Sequence, residues 1–440
     1  MTQVLFPREE IEALRSEVAA TNGDQLTIPT VVQAVDLVRA AAPLFRQAQL
    51  ICHPDGKAVA GLGVAWSAAA AGGDRFPGLQ AKIALARLPA GVPILSGFSF
   101  HPDGPRTEEW QGFPSAAALL PQVTLVDTGK ERRIVLTKVP GLDYFDLIEL
   151  LADLELPRPA LPFDPGDHSV VSHPSTADWR TEVEEALGAI AQGDLTKVVL
   201  SRSVVVTTDL APNAFDLVEQ LREAYPQCHV FAWQVGEATL VGASPELLLA
   251  MAGRSVRVNP LAGSARRGEG EADDRALGEA LMHSAKDRHE HDLVVQDIAA
   301  RLGPVAKELH IPAQPSLRRM ATVQHLSSEI VARTAHTIHP LDVVDIMHPT
   351  PAVGGTPRNA ALAFVDKIEG IDRGWYAGGI GWLTAGGDAT FAIPLRCALI
   401  RGNTATLYAG AGIVGESRPE SELDETRLKF RPMLSILTAT

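Results

Sequence analysis

Apolar positions change period several times along this chain, and each change predicts an element. Residues 8–20 carry the helical period of a short amphipathic helix. Gly61–Trp66, Pro93–Phe100 and Arg133–Thr137 then read as strands separated by Gly and Pro turns. Five prolines between Pro157 and Pro174 predict a surface connection. Beyond it Val183, Ala186, Leu187 and Ile190 recur at helical spacing, and Gly193-Asp194 ends that helix. Lys197–Val206 is a long β-branched strand, followed by strands at Val230–Gln234 and Ala238–Ala243. Residues 275–302 and 338–347 read as helices; Ala377–Trp382, Thr390–Ile400 and Thr406–Val414 return to strands. After Gly415, Ser417 with Glu420 three residues on predicts a capped helix that has Pro419 in its first turn. Many hairpin-length connections and no internal repeat favour α+β with large, mainly antiparallel sheets.

The chain has 440 residues, 46% hydrophobic and 21% charged, an ordinary soluble composition with ample length for a large core. Its formal net charge of -14 argues against nucleic acid or an anionic membrane as partner. The first ten residues lack the basic and apolar regions of a signal peptide. The long uncharged stretch from Trp110 to Val126 is broken by Pro114 and Pro121 and is too short to span a bilayer. Cys52, Cys228 and Cys397 read as reduced core thiols of a cytoplasmic protein.

Chemistry-bearing residues cluster in the second half. Lys197 opens an otherwise apolar strand, so it either snorkels to the rim or points into a site as a usable base. Glu246, between a strand end and an apolar run, is either a general acid or an exposed turn residue. Asp287 and Glu290 sit at i, i+3 in a helix start, as do Glu422 and Glu425, with Lys429 returning to the face of Glu422. Both acidic pairs suit a hard cation such as magnesium, and both are also compatible with solvated helix starts. Pro260–Ser264 and Pro351–Pro357 are tight, small-residue segments, ordinary turns or places where backbone N–H groups approach a ligand. Arg396 lies in an apolar strand and needs either an anionic partner or a route to solvent at an edge. Neither P-loop nor dinucleotide fingerprint is present.

This constellation resembles the chorismate-utilising enzymes: the isochorismate, salicylate, anthranilate and aminodeoxychorismate synthases. The motifs are Lys197–Arg202, Gly242–Leu247, Asn259–Ser264, Lys286–His291, Gln324–Leu326, His348–Gly355, Trp375–Gly379, Ile393–Arg396 and Gly410–Lys429, in one order. The match runs from about Asp178 to Leu434. It implies a single chorismate-binding domain over residues 1–440, with two large, mainly antiparallel sheets packed together and flanked by helices. Residues 1–165 match loosely and contribute to the β core; residues 175–436 form the matching catalytic part. The resemblance further implies Mg2+ held by Glu290, Glu422 and Glu425, with Asp287 as a further acidic residue. It puts Arg396, Lys429, Gly410 and Gly412 at the substrate carboxylates with Tyr376 close by, His325 near the ring, and Gly263 and Ser264 in the binding segment.

Within the family, water-using members have a base at the position of Lys197, and a residue at that of Glu246 protonates the departing C4 hydroxyl. Attack of water at C2 of chorismate would then give isochorismate reversibly, with no partner macromolecule and a monomeric chain expected. The isochorismate would feed menaquinone, catecholate siderophores or salicylate. Salicylate synthases share the lysine and glutamate but typically carry threonine at the position of Ala352, so the alanine favours stopping at isochorismate. A salicylate synthase and a non-catalytic chorismate-binding protein are the alternatives.

Overall fold

The computed structural model describes residues 3–20, 24–139 and 143–438; Met1 and Thr2, which head the stretch read for a signal peptide, lie outside them. Two antiparallel sheets dominate the described residues. The larger has twelve strands. Its path runs from Gln25–Pro29 through Arg132–Thr137, Val123–Asp127, Ala58–Leu62 and Ala48–Cys52, then crosses to His229–Val235, Ala238–Ser244, Cys397–Arg401, Thr404–Ile413, Lys197–Thr208 and Gly355–Thr356. The second, nine-stranded sheet joins Ile94–Phe98, Ala116–Leu120 and Trp66–Ala70 to Gly379–Leu383 and to the strands that follow it as far as Ala306–His310. Both sheets therefore mix strands from the two halves of the sequence.

The larger sheet is buried on both faces, and the period of two is visible residue by residue. Phe231 and Trp233, with Leu399, join the core that holds Phe98, Ile380 and Phe391 of the second sheet. Val230 and Ala232, with Ala398 and Ile400, join a second core under helical residues Val38, Leu217 and Phe430. A small third sheet, Leu261–Arg266, Val323–Ser327 and Ser316–Arg319, is covered by the helices Glu271–His283 and Ala285–Leu302.

The fold class expected from the sequence is the one observed, but several boundaries move. The strand expected over 61–66 stops at Leu62, because Gly63 turns with φ +64°, and a new strand begins at Trp66. The proline-rich connection ends in a strand, His168–His173, whose order comes from pairing with Ser203–Thr208 and not from any apolar alternation. The single helix expected over 275–302 is two, because extended Ser284 ends the first and its side chain caps the second. The strand expected over 390–400 is also two: Ala389–Ala392 belongs to the nine-stranded sheet and Cys397–Arg401 to the larger one. The chain crosses between sheets at Ile393–Arg396, so Arg396 (φ +48°) is not a strand residue. Finally, the last helix begins at Pro419 and Ser417 does not cap its third residue. Ser417 Oγ instead accepts the N–H of Val414 at 3.2 Å, and Glu420 faces Arg180 at 3.1 Å.

Candidate active site

The crossing between sheets, the third sheet and the last helix enclose one cavity. Glu246, Gly263, Ser264, Glu290, His325, Ala352, Tyr376, Arg396, Gly410, Gly412, Glu425 and Lys429 all line it. Asp287, Glu422 and Lys286 line an adjoining hollow that shares Ser264, Glu425 and Lys429 with the first. The residues singled out from the sequence thus come together from many segments spread between Glu246 and Lys429.

One wall is the strand pair Lys197–Thr208 and Thr404–Ile413, with Val199 opposite Gly412 and Ser201 opposite Gly410. Lys197 does not snorkel: it is wholly buried, and its Nζ lies 2.9 Å from Glu290 Oε1 with no other polar partner among the described residues. That pair lies directly over Gly412, where a Cβ would come within 2.5 Å of Glu290 Oε1 and 3.0 Å of Lys197 Cε. Burial raises Glu290, but the charge and hydrogen bond of Lys197, aided by Lys429 and Lys286, outweigh it and hold the carboxylate below its usual range. At Gly410 a Cβ would meet Ser201 Oγ and the Tyr376 hydroxyl. Tyr376 stacks on Tyr408 with centroids 5.4 Å apart, and burial pushes its phenol up to about 12.

Glu246 is no exposed turn residue. It is buried, its N–H bonds Ser244 Oγ at 3.2 Å, and Ile393 N–H donates to its carbonyl at 3.1 Å. Desolvation raises its carboxyl from 4.5 to about 7 against the opposing pull of Lys197, Lys429 and Arg396. Arg396, 8% exposed, has no carboxylate within salt-bridge reach among the described residues; its side-chain contact is His325 Nε2 at 3.5 Å. His325 Nδ1 lies 2.9 Å from Ser264 Oγ and 3.3 Å from the carbonyl of Gly263. Burial and the Arg396 charge hold His325 well below its ordinary value, so it is neutral; the Gly263 carbonyl takes the Nδ1 proton and Nε2 faces the guanidinium as an acceptor. A buried guanidinium without an anion is costly unless a ligand brings one.

Three of the four acidic residues each meet a lysine. Glu422 lies 2.8 Å from Lys286, Glu290 pairs with Lys197, and Glu425 pairs with Lys429, whose Nζ also donates to the carbonyl of Gly410 at 2.9 Å. Asp287 is tied into its own helix cap, where Ser284 Oγ accepts its N–H and donates to its carboxylate. Four hard-oxygen donors beside one cavity fit Mg2+ in chemistry, and the three glutamates are each paired with a lysine here. They are not preassembled: among the described residues no three of His, Cys, Asp and Glu are grouped so as to hold a metal ion.

Sequence reasoning missed Lys286, which looks like a solvated helix start until Glu422 arrives 136 residues later. It also missed the apolar lining of Val199, Pro245, Leu261, Val353 and Leu395. No helix among the described residues is long and apolar enough to cross a membrane.

Comparison with known proteins follows the same lines. A family model described as chorismate binding enzyme matches residues 23–438. The salicylate biosynthesis isochorismate synthase of Pseudomonas aeruginosa is 39% identical over 360 residues, 80% of this chain and 75% of that protein. The isochorismate synthase MenF of Bacillus subtilis is 34% identical over 352 residues, 79% of this chain and 75% of that protein. Among solved structures, the menaquinone-specific isochorismate synthase MenF of Escherichia coli superposes with a TM-score of 0.84 at 27% identity, covering 97% of this chain and 99% of that one.

Proposed function

This chain belongs to the chorismate binding enzymes, and from that premise we propose that it is an isochorismate synthase, an isomerase that reversibly converts chorismate to isochorismate. The observation that carries this reading is a buried lysine and a buried acid at one cavity, Glu246 on its lining and Lys197 directly behind the lining residue Glu290. Lys197 is buried with its Nζ 2.9 Å from Glu290 Oε1, and Glu246 is a buried carboxyl raised to about 7, so a large fraction of it holds a proton near neutral pH.

On this reading Arg396 and Lys429, with the backbone near Gly410 and Gly412, receive the substrate carboxylates. The unpaired guanidinium and the neutral His325 beside it support a planar anion at that end. Lys197 takes a proton from water as the water oxygen bonds to C2. The C1=C2 and C5=C6 double bonds move to C1=C6 and C4=C5, the C4–O bond breaks, and Glu246 gives its proton to the departing hydroxyl. Exchanging one allylic alcohol for another keeps the reaction reversible. Ala352 leaves the cavity without a hydroxyl at that point, which favours release of isochorismate over further elimination to salicylate.

We assign Glu290, Glu422 and Glu425, with Asp287 in support, as the residues that would hold Mg2+. When bound, the ion would supply Lewis-acid withdrawal of electrons through the ring carboxylate. We read the chain as one domain, which the mixing of both halves in both sheets supports. The three buried free cysteines support a reducing, cytoplasmic setting. The deciding experiment incubates purified protein with chorismate and Mg2+, with and without ammonium, and separates the products by chromatography. Isochorismate as the Mg2+-dependent product is expected. Salicylate with pyruvate, or a product that requires ammonium, would overturn the assignment.

A further inference from the structure

Two residues outside the cavity hold three of its walls by their backbones. Arg373 is 1% exposed, and its guanidinium plane lies over the ring of Phe100, 4.1 Å from the centroid. It donates to the carbonyl of Val199 at 2.7 Å and to that of Val353 at 2.8 Å, and its Nε donates to Glu369 Oε2 at 2.8 Å. Glu369, across a second Arg373 contact, accepts the N–H of Ser201 at 2.7 Å. The carbonyl of Arg373 accepts the N–H of Tyr376 at 2.9 Å. Val199, Val353 and Tyr376 all line the cavity, and Ser201 Oγ and the Tyr376 hydroxyl both lie against Gly410. Neither Glu369 nor Arg373 is itself a lining residue.

We infer that the Glu369–Arg373 pair is a positioning element of the substrate cavity. It fixes the Lys197–Thr208 strand, the loop that carries Ala352 and Val353, and Tyr376 relative to one another. The inference rests on reading this cavity as the chorismate site. A buried ion pair is poor at conferring stability, because desolvating two charges offsets most of their attraction. Its fork geometry is another matter: a guanidinium addresses two carbonyls and a carboxylate in one plane, and neither an ammonium nor a shortened acid can do so. The pair acts through the walls and touches no substrate.

The test compares Arg373→Lys and Glu369→Asp with wild type, and with Arg39→Lys as a control. Arg39 is also buried in acidic contacts, with Asp216 and Glu219, but stands away from the cavity. Thermal unfolding, chorismate affinity by calorimetry and kcat/KM are measured on the folded enzyme. All three charge-preserving variants lower Tm. Only those of the pair weaken chorismate affinity and kcat/KM, by about tenfold or more, since displacing a cavity wall by about 1 Å can cost up to a hundredfold. Wild-type affinity and kcat/KM in a folded Arg373→Lys or Glu369→Asp enzyme would overturn the inference, and either variant suffices if the other does not fold. Should wild type bind chorismate without forming isochorismate, the proposed reaction fails while the affinity comparison still decides the role of the pair.

Discussion

Replacing Glu246 by Gln separates the acid's chemistry from its cost to the fold. Burial raises this carboxyl from 4.5 to about 7. The folded state therefore favours the neutral form. Its contribution to stability is fully present below about pH 4.5 and is lost as pH rises toward about 7. At 1.36 kcal/mol per pH unit the difference is about 3 kcal/mol at full ionisation. Glutamine keeps the shape and never ionises. The variant and wild type should thus unfold alike near pH 4.5, and the variant should be the more stable above pH 7. At an unfolding entropy of about 2.1 cal/mol/K per residue, the gap in Tm for this chain is about 3 °C. Scanning calorimetry at a series of pH values reads that gap directly. The same variant should lose turnover by about 10²- to 10⁴-fold, the usual contribution of a positioned acid. A Tm difference that does not vary with pH, or wild-type turnover in Glu246→Gln, refutes the reasoning.

Other expectations follow from the same geometry. Lys197→Ala should lower kcat by about 10²- to 10⁴-fold while chorismate binding stays measurable by calorimetry; unchanged turnover would remove Lys197 as the base. Arg396→Lys should raise KM by about tenfold or more, because an ammonium cannot reproduce a bidentate contact, and an unaltered KM would make the arginine structural. Glu290→Gln should weaken Mg2+ in a calorimetric titration without substrate, and an unchanged isotherm would count against its place among the metal ligands.

Much of the fold could be read from period and punctuation, because the strand around Lys197 carries a strong β-branched run and those around Val230, Ala238 and Thr406 are apolar runs between clear turns. What could not be read depended on partners distant in sequence. His168–His173 is a strand only because Ser203–Thr208 offers it an edge. Arg396 looked like a strand residue because its neighbours are apolar, whereas the chain leaves one sheet for the other there. The site shows the same division. Lys197, Glu246 and Arg396 stood out as charges in apolar surroundings, and each proved buried. Lys286, Glu369 and Arg373 did not stand out, since charges at ordinary helical spacing are usually solvated, and only the assembled walls bury this last pair.

The mixing of strands from both halves also governs how the protein is made. The Lys197–Thr208 strand pairs along most of its length with Thr404–Ile413, and the last helix brings Glu422, Glu425 and Lys429. During synthesis, residues up to about 400 can collapse and form hairpins, but the central ladder of the larger sheet has no partner until the final segment leaves the ribosome. Chorismate cannot stabilise the nascent chain before then, because the walls that would bind it do not yet exist. A ribosome stalled short of that segment would hold an open strand edge prone to aggregation rather than a partly working enzyme.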